Sequence, residues 1–184
     1  MPVLQPKGAH LGLILPLCTS SATVGLALFQ YPVFLSFLHA QPSIAGNPLS
    51  RFWAAMIKPG ASLIAAMALT STLAGVVSAR WLHTHATLET TDVSQWYTYG
   101  AVLAAGHLAF APLVAGPIKR MVEAGQEGGG SGGGSNALSE EEVDGKNREE
   151  MKTWFTLHTV RTLLVDLPAL LCFAEGAALS FWVI

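Results

Sequence analysis

The sequence predicts an all-α fold: an integral membrane four-helix antiparallel transmembrane bundle with a long flexible loop between helices 3 and 4. Hydrophobic residues make up 51% of the 184 residues and charged residues only 12%, with a mean hydropathy of +0.44. Soluble domains carry about 25% charged residues, so this composition indicates a membrane protein. Four apolar runs, and a bias in where the lysines and arginines fall, predict the number of helices and their orientation.

Four stretches reach the length of about 20 mainly apolar residues that a bilayer span requires. They lie at about 11–38, 59–79, 97–118 and 154–182. None shows the alternation of a transmembrane barrel strand, which favours helices. The alternative for the first run is a cleaved signal peptide, but the run is too long and only Lys7 precedes it. We therefore expect one four-helix domain over residues 1–184.

Lysine and arginine predict the orientation, because cytosolic loops are enriched in both. The first and third loops hold most of them, and the opposite side holds only Lys7 and Arg80. The residues of the first and third loops are Arg51, Lys58, Lys119, Arg120, Lys146, Arg148 and Lys152. Both termini are therefore expected to be lumenal or external, in the endoplasmic reticulum or another endomembrane.

The third loop contains "GQEGGGSGGGSNALSEEEVDGKNREE". Its Gly/Ser tract is typical of a flexible linker, and the acidic run after it is typical of a solvated segment. We expect residues 123–150 to form no packed structure.

Ionisable residues are costly at membrane depth and normally face a protein interior or a water-filled cavity. On the fourth predicted helix, ionisable and other residues recur at spacings of three, four and seven positions and so form one stripe. This stripe should face the bundle interior. The stripe comprises Trp154, His158, Arg161, Pro168, Cys172 and Glu175. Asp166 lies off the stripe, which favours a position facing a neighbouring helix.

Matching depth along antiparallel helices, at 1.5 Å per residue, predicts a polar site in the cytosolic half of the bundle. Its members would be Gln30, Tyr31, His107, His158 and Arg161. Simpler interpretations stay open for each residue. Arg161 could snorkel to lipid phosphates, His107 could be a satisfied interior histidine, and Tyr31 and Trp154 could be interfacial aromatics.

The sequence predicts neither a metal centre nor an organic cofactor. His83 and His85 in "WLHTH", with Glu89 and Asp92 downstream, could contact copper or zinc, but two histidines do not complete a site. Phosphate-loop, dinucleotide, Cys-x-x-Cys and haem motifs do not occur in the sequence. With a net charge of -2 and no basic tract, nucleic acid is not an expected partner.

Two segments, "HLAFAPLVAGPIKRM" and "WFTLHTVRTLLVDLPALL", resemble the anthrone oxygenase-like family of small four-helix membrane proteins. The family commonly ends its third helix with Phe-Thr, an apolar stretch, Pro-Thr-Asn and a basic-apolar pair. It opens its last helix with Trp, His and Arg at the spacing seen here. The matching positions are Phe110, Pro117, Arg120, Met121, Trp154, His158 and Arg161. Ala111 and Ile118-Lys119 depart from the pattern.

The resemblance implies a membrane-bound, cofactor-independent monooxygenase that converts a polyketide anthrone to an anthraquinone in secondary metabolism, with dioxygen as co-substrate. Such chemistry needs a base, a cationic or hydrogen-bonding group for the enolate oxygen, and an apolar cavity. We expect His158 or His107 as the base and Arg161 as the oxyanion partner. Tyr31, Gln30, Trp154 and Phe110 would bind the aromatic substrate.

The competing interpretation is a non-enzymatic multi-pass scaffold or carrier in the lipid bilayer. A scaffold needs no convergent base and cation, and a carrier usually shows internal repeats, which this sequence lacks. A homo-oligomer would be compatible with either class.

Overall fold

The computed structural model describes residues 9–85, 91–128 and 138–183, and every regular element in these ranges is helical. The elements are α1 Ala9–His39, α2 Asn47–His85, α3 Thr91–Ala109, α4 Ala111–Gly128, α5 Glu140–Arg161, a π-helical turn Thr162–Asp166 and α6 Leu167–Val183.

Within the described residues, four helical stretches are long and apolar enough to cross a membrane: Leu11–His39, Asn47–His85, Val93–Gly128 and Glu140–Ser180. Large apolar side chains along them are exposed, among them Leu28, Leu73, Val102 and Leu164. This confirms an all-helical fold with four candidate spans and indicates a multi-pass membrane protein. The antiparallel order of the four spans stays a prediction.

The third expected helix is two helices, α3 and α4, which meet at Phe110. Pro112 explains the break, because proline has no backbone N–H and its ring clashes with the carbonyl four residues earlier. Helical hydrogen bonding resumes immediately after the break, since the Val114 N–H donates to the Phe110 carbonyl at 3.0 Å.

The second helix begins at Asn47 rather than at 59. Arg51 and Lys58 lower the hydropathy of its first turns, but Leu49 and Trp53 are buried on one side of it. Their spacing of four residues is a helical period, which a hydropathy window of membrane length does not detect.

The expectation that residues 123–150 form no packed structure is wrong for residues 123–128 and 140–150. The segment up to Gly128 belongs to α4, where Ala124 is buried, and residues from Glu140 onward belong to α5. Most of the Gly/Ser tract, residues 129–137, lies outside the described residues.

A capping box starts α5 and explains why the acidic run is helical. The Glu142 N–H donates to Ser139 Oγ at 3.3 Å, and the Ser139 N–H donates to Glu142 Oε2 at 2.8 Å. This reciprocal pair satisfies backbone donors that a helix start leaves open. Glu140, Glu141 and Glu142 also lie in the first turn, where negative charge is favourable.

The described residues cluster into two compact units. Unit 1 comprises those within Met1–Leu26, Ile64–Ala109 and Arg161–Ile184, and unit 2 those within Ala27–Leu63 and Phe110–Val160. Helices α1 and α2 are each divided, with one part in unit 1 and the other part in unit 2. The expectation of a single domain stays a prediction.

Unit 1 is built around Phe173 of α6, which is fully buried. A Cβ added at Gly75 or at Gly100 would lie 2.8 Å or 2.6 Å from the Phe173 ring, so both positions require glycine for this packing. Such close approach over small residues is typical of packing between membrane helices. Tyr97, also fully buried, donates its hydroxyl to the Leu13 carbonyl at 2.9 Å.

Within unit 1, α3 and α6 pack against each other and run in opposite directions. Gly176 approaches Tyr97 near the start of α3, and Gly106 near the end of α3 approaches Val165 in the π-helical turn. The late residues of α3 are therefore held beside the π-helical turn.

Unit 2 has an aromatic core. Phe34 of α1 stacks on Trp53 of α2 with ring centroids 4.6 Å apart and planes 3° apart, and it meets Trp154 of α5 edge-on at 4.9 Å. Ser50 precedes Trp53 in α2, Asn147 precedes Trp154 in α5, and Asn147 Nδ2 donates to Ser50 Oγ at 2.9 Å.

Candidate functional site

A buried triad of ionisable residues lies in unit 1. His107 Nδ1 is 2.7 Å from Asp166 Oδ1, and Arg161 Nε donates to Asp166 Oδ2 at 3.2 Å. Only 5% of His107, 4% of Asp166 and 8% of Arg161 is exposed. A buried carboxylate is tolerated where charge and hydrogen bonds compensate it, and here both oxygens have cationic or N–H partners.

The geometry defines the proton arrangement of a neutral His107. An ionised carboxylate can only accept, so Nδ1 carries the proton that it donates to Asp166. The lone pair then lies on Nε2, which makes Nε2 the proton-accepting atom. Asp166 fixes the ring orientation and would stabilise the imidazolium formed after proton transfer, as in carboxylate–histidine pairs of hydrolases.

Asp166 reaches the triad because the chain is π-helical from Thr162 to Asp166. The Leu167 N–H donates to the Thr162 carbonyl, a spacing of five residues instead of four. Pro168 lies two residues after Asp166, and a proline in a helix removes one hydrogen bond and disfavours regular α-geometry before it. π-Helical turns of this length inside α-helices are frequently found at functional sites.

The π-helical turn also shifts the buried face of α6 by one residue. The inward stripe expected from the sequence continues from Arg161 through Pro168, Cys172 and Glu175. In the structure Glu175 is exposed, and Cys172 is half-buried. The buried positions of α6 among the side chains that the structure describes are instead Ala169, Phe173, Gly176, Ala177 and Ser180. The expected stripe is therefore correct up to Arg161 and wrong beyond the π-helical turn.

A second group of predicted residues lies in unit 2. His158 is fully buried, its ring stacks on Trp154 with centroids 4.6 Å apart, and the Tyr31 ring is 5.1 Å away. His158 Nε2 donates to the Ala27 carbonyl at 3.0 Å, because a carbonyl can only accept. Tyr31 shares a hydrogen bond of 2.6 Å with Thr159.

The remaining predicted residues, Gln30 and Phe110, are half-buried in unit 2. The predicted set is thus distributed over both units: His107 and Arg161 in unit 1, and Gln30, Tyr31, Phe110, Trp154 and His158 in unit 2. Convergence of the whole set at one depth stays a prediction. The residue that sequence reasoning left out of the site is Asp166.

Among the described residues, no group of three or more histidine, cysteine, aspartate or glutamate side chains is arranged to hold a metal ion. His83 and His85 are exposed, and the His85 ring stacks on Trp81. Glu89 lies outside the described residues.

No protein-family model, no curated protein and no solved structure matches the chain. The resemblance to anthrone oxygenase-like proteins therefore remains an expectation based on short motifs. What the structure adds independently is the chemistry of the triad.

Proposed function

We propose that this protein is a membrane-bound, cofactor-independent oxygenase that converts an aromatic polyketide anthrone to an anthraquinone. The pairing of His107 with Asp166 carries the proposal, because it supplies an oriented base inside an apolar protein. The motif resemblance supplies the substrate class.

His107 is the stronger candidate for the base. Its partner is a carboxylate, which stabilises the positive charge that the ring gains with the proton. His158 Nε2 donates to the neutral backbone carbonyl of Ala27, and its ring lies against the rings of Trp154 and Tyr31. Such contacts suit a positioning or wall residue in unit 2.

Arg161 has two contributions in this proposal. Its Nε donates a hydrogen bond to Asp166 Oδ2, which holds this carboxylate in position beside His107. Its guanidinium also adds positive charge to the site, where an enolate oxygen develops negative charge during proton removal. The acidic partner that a buried arginine requires is Asp166 of the same chain.

The reaction balances without a metal or organic cofactor. His107 Nε2 removes one proton from the acidic methylene of the anthrone, which leaves an electron-rich carbanion conjugated to the carbonyl. The carbanion transfers one electron to dioxygen, and the two radicals combine to a peroxide anion. Protonation gives a hydroperoxide, and loss of water forms the new carbonyl. One dioxygen is consumed, with one oxygen atom retained in the quinone and the other released as water.

The bilayer suits both reactants, since dioxygen and a fused-ring aromatic partition into apolar phases. The proposal places the protein in an endomembrane such as the endoplasmic reticulum, close to a polyketide-producing system.

The test uses membranes from cells that express the full chain and from cells that do not. An anthrone is added, and oxygen uptake and quinone absorbance are followed together. We expect quinone formation and oxygen uptake in a 1:1 ratio, well above the spontaneous rate. Equal rates in the two membrane preparations would contradict the oxygenase and favour a scaffold or carrier.

A further inference from the structure

Unit 2 contains seven lysine and arginine side chains, and five of them form an ion pair with a carboxylate. The five pairs are Lys119 with Glu123, Arg120 with Glu150, Lys146 with Glu127, Arg148 with Asp144 and Lys152 with Glu149. Arg51 and Lys58 of α2 have no acidic partner within residues 9–85, 91–128 and 138–183, and both are exposed. Two positive charges of this unit are therefore open to an anion from outside the chain.

Arg51 and Lys58 lie on the same face of α2, because seven residues make about two helical turns. Ala55 lies between them and Ser62 follows one turn later, so the spacings along this face are four, three and four. All four residues are exposed, whereas Trp53 on the opposite side of the helix is buried in the aromatic core. We refer to Arg51, Ala55, Lys58 and Ser62 as the α2 basic stripe.

Two uncharged polar groups of the α2 basic stripe also lack their usual partner on the helix. The hydroxyls of Thr70 and Thr72, further along α2, each donate to the carbonyl four residues earlier at 2.8 Å. The Ser62 hydroxyl makes no such bond among the described residues. Pro59 has no N–H, so the Ala55 carbonyl lacks the donor that an α-helix normally supplies four residues later. The stripe therefore offers one hydroxyl and one carbonyl acceptor beside its two cations.

The α2 basic stripe crosses the start of the apolar run at about 59–79. Lys58 directly precedes this run, Ser62 lies just inside it, and Arg51 lies about 10 Å further out along the helix axis. The polar headgroups of a bilayer lie at such a boundary between apolar and polar segments. The residues between the two cations include the small, exposed Ala54 and Ala55, which leave space for a headgroup. The position and the chemistry of the stripe both fit a lipid headgroup.

We propose that the α2 basic stripe binds an anionic phospholipid that carries a second phosphate on a hydroxylated headgroup. Lys58 and Ser62, one turn apart, donate to the phosphodiester, and Arg51 donates to the second phosphate. A headgroup hydroxyl donates to the Ala55 carbonyl. Charge-assisted hydrogen bonds of this type are strong, and arginine presents two N–H groups to one phosphate. The separation of about 10 Å between Arg51 and Lys58 favours two phosphates over one.

This interaction goes beyond the proposed oxidation, which concerns the triad of unit 1, and it does not depend on that oxidation. The bound lipid would hold the start of α2 at the membrane surface. Basic groups beside a membrane span are attracted to the anionic lipids of the cytoplasmic leaflet. The distribution of lysine and arginine predicts that this end of α2 is cytosolic, where such lipids would be within reach.

The experiment measures dissociation constants of the full chain in detergent by native mass spectrometry, with three lipids. Phosphatidylinositol 4-phosphate has both phosphates, phosphatidylinositol has only the phosphodiester, and phosphatidylcholine has a phosphodiester but no net charge. We expect the first to bind about tenfold or more tightly than the second, and the third to bind most weakly. Equal constants for the first two would contradict the proposal. Equally tight binding of soluble inositol 1,4-bisphosphate would contradict it too, because the stripe would then bind a free phosphate compound rather than a lipid.

Substitutions separate the two phosphate contacts. Arg51→Gln should weaken binding of phosphatidylinositol 4-phosphate about tenfold and leave binding of phosphatidylinositol unchanged. Lys58→Gln should weaken binding of both lipids about tenfold, because both contain the phosphodiester. Ser62→Ala should weaken both as well, but less, since it removes a neutral donor. All three side chains are exposed, so without lipid the variants should unfold at the same temperature as the wild type.

Lys152→Gln is the matched control, because it removes the same charge from unit 2 at a lysine that pairs with Glu149 at 2.6 Å. It should bind both inositol lipids like the wild type. An equal loss of binding for Lys152→Gln and Lys58→Gln would show a diffuse attraction to the net charge and would overturn the proposal. If the lipid binds as expected but membranes do not oxidise an anthrone, the lipid site stands and the proposed function fails.

Discussion

The Nδ1 atom of His107 lies 2.7 Å from Asp166 Oδ1, although the two residues are 59 positions apart in the chain. The pair joins α3 to the π-helical turn, and Arg161 contacts the other carboxylate oxygen. A carboxylate so placed fixes the orientation of the His107 ring.

Asp166→Asn should lower anthrone oxidation by about 10²-fold or more, because an amide stabilises the imidazolium less well and permits the wrong tautomer. Oxygen uptake by membranes with equal amounts of folded protein is the measurement. Glu175→Gln is the matched control, since it neutralises an exposed acid on α6, the helix that follows the π-helical turn. Wild-type rates for Asp166→Asn would show that the carboxylate has only a structural role.

Arg161→Ala should reduce turnover by about 10²-fold, the effect of losing one group that stabilises an oxyanion. Arg161→Lys should recover only part of the rate, because a point charge does not reproduce the planar guanidinium. Arg80→Ala, at an exposed arginine of unit 1, should retain wild-type kinetics. A well-folded Arg161→Ala with full activity would show that the contact of Arg161 with Asp166 has only a structural role.

Gly100→Ala should destabilise unit 1 by about 1–3 kcal/mol, because the new methyl group would overlap the buried Phe173 ring. Gly25→Ala is the control, since nothing lies within 4 Å of a Cβ at that position. Unfolding in detergent, followed by circular dichroism, compares the two. Equal stability of both variants would mean that the ring moves aside without cost.

Ser139→Ala should destabilise the start of α5 by about 1 kcal/mol, the usual effect of losing a helix N-cap. Ser139→Thr keeps a hydroxyl acceptor and should be close to the wild type. Amide hydrogen exchange at residues 140–144 is the direct readout. Unchanged protection in Ser139→Ala would show that packing alone maintains this helical turn.

Composition and the four apolar runs were enough to predict the all-helical fold and the four candidate spans. The helix ends were harder. Charged residues at the starts of α2 and α5 lower the local hydropathy, so these helical turns are not detected by a search for apolar runs. The "SEEE" capping box at Ser139 is a local signal from which the earlier start of α5 could have been predicted. Pro112 likewise signals the break at Phe110.

The candidate site was only partly predictable. Helical periodicity correctly predicted that Trp154, His158 and Arg161 are buried. It excluded Asp166 and favoured Glu175, because a regular period of 3.6 residues does not include the extra residue of a π-helical turn. Pro168 was visible in the sequence, but a proline alone does not determine whether a helix kinks or changes its hydrogen-bond spacing. Only the structure brings Asp166 to His107.

The most direct test of the account is proton removal itself, measured without dioxygen. An anthrone is incubated anaerobically in D₂O with the protein in nanodiscs, and deuterium incorporation at the methylene carbon is followed by mass spectrometry. The account predicts exchange faster than the spontaneous rate for the wild type and for His85→Gln, an exposed control. For His107→Gln it predicts a loss of about 10²–10⁴-fold, limited by the spontaneous rate. Exchange by His107→Gln at the wild-type rate would contradict the assignment of His107 as the base.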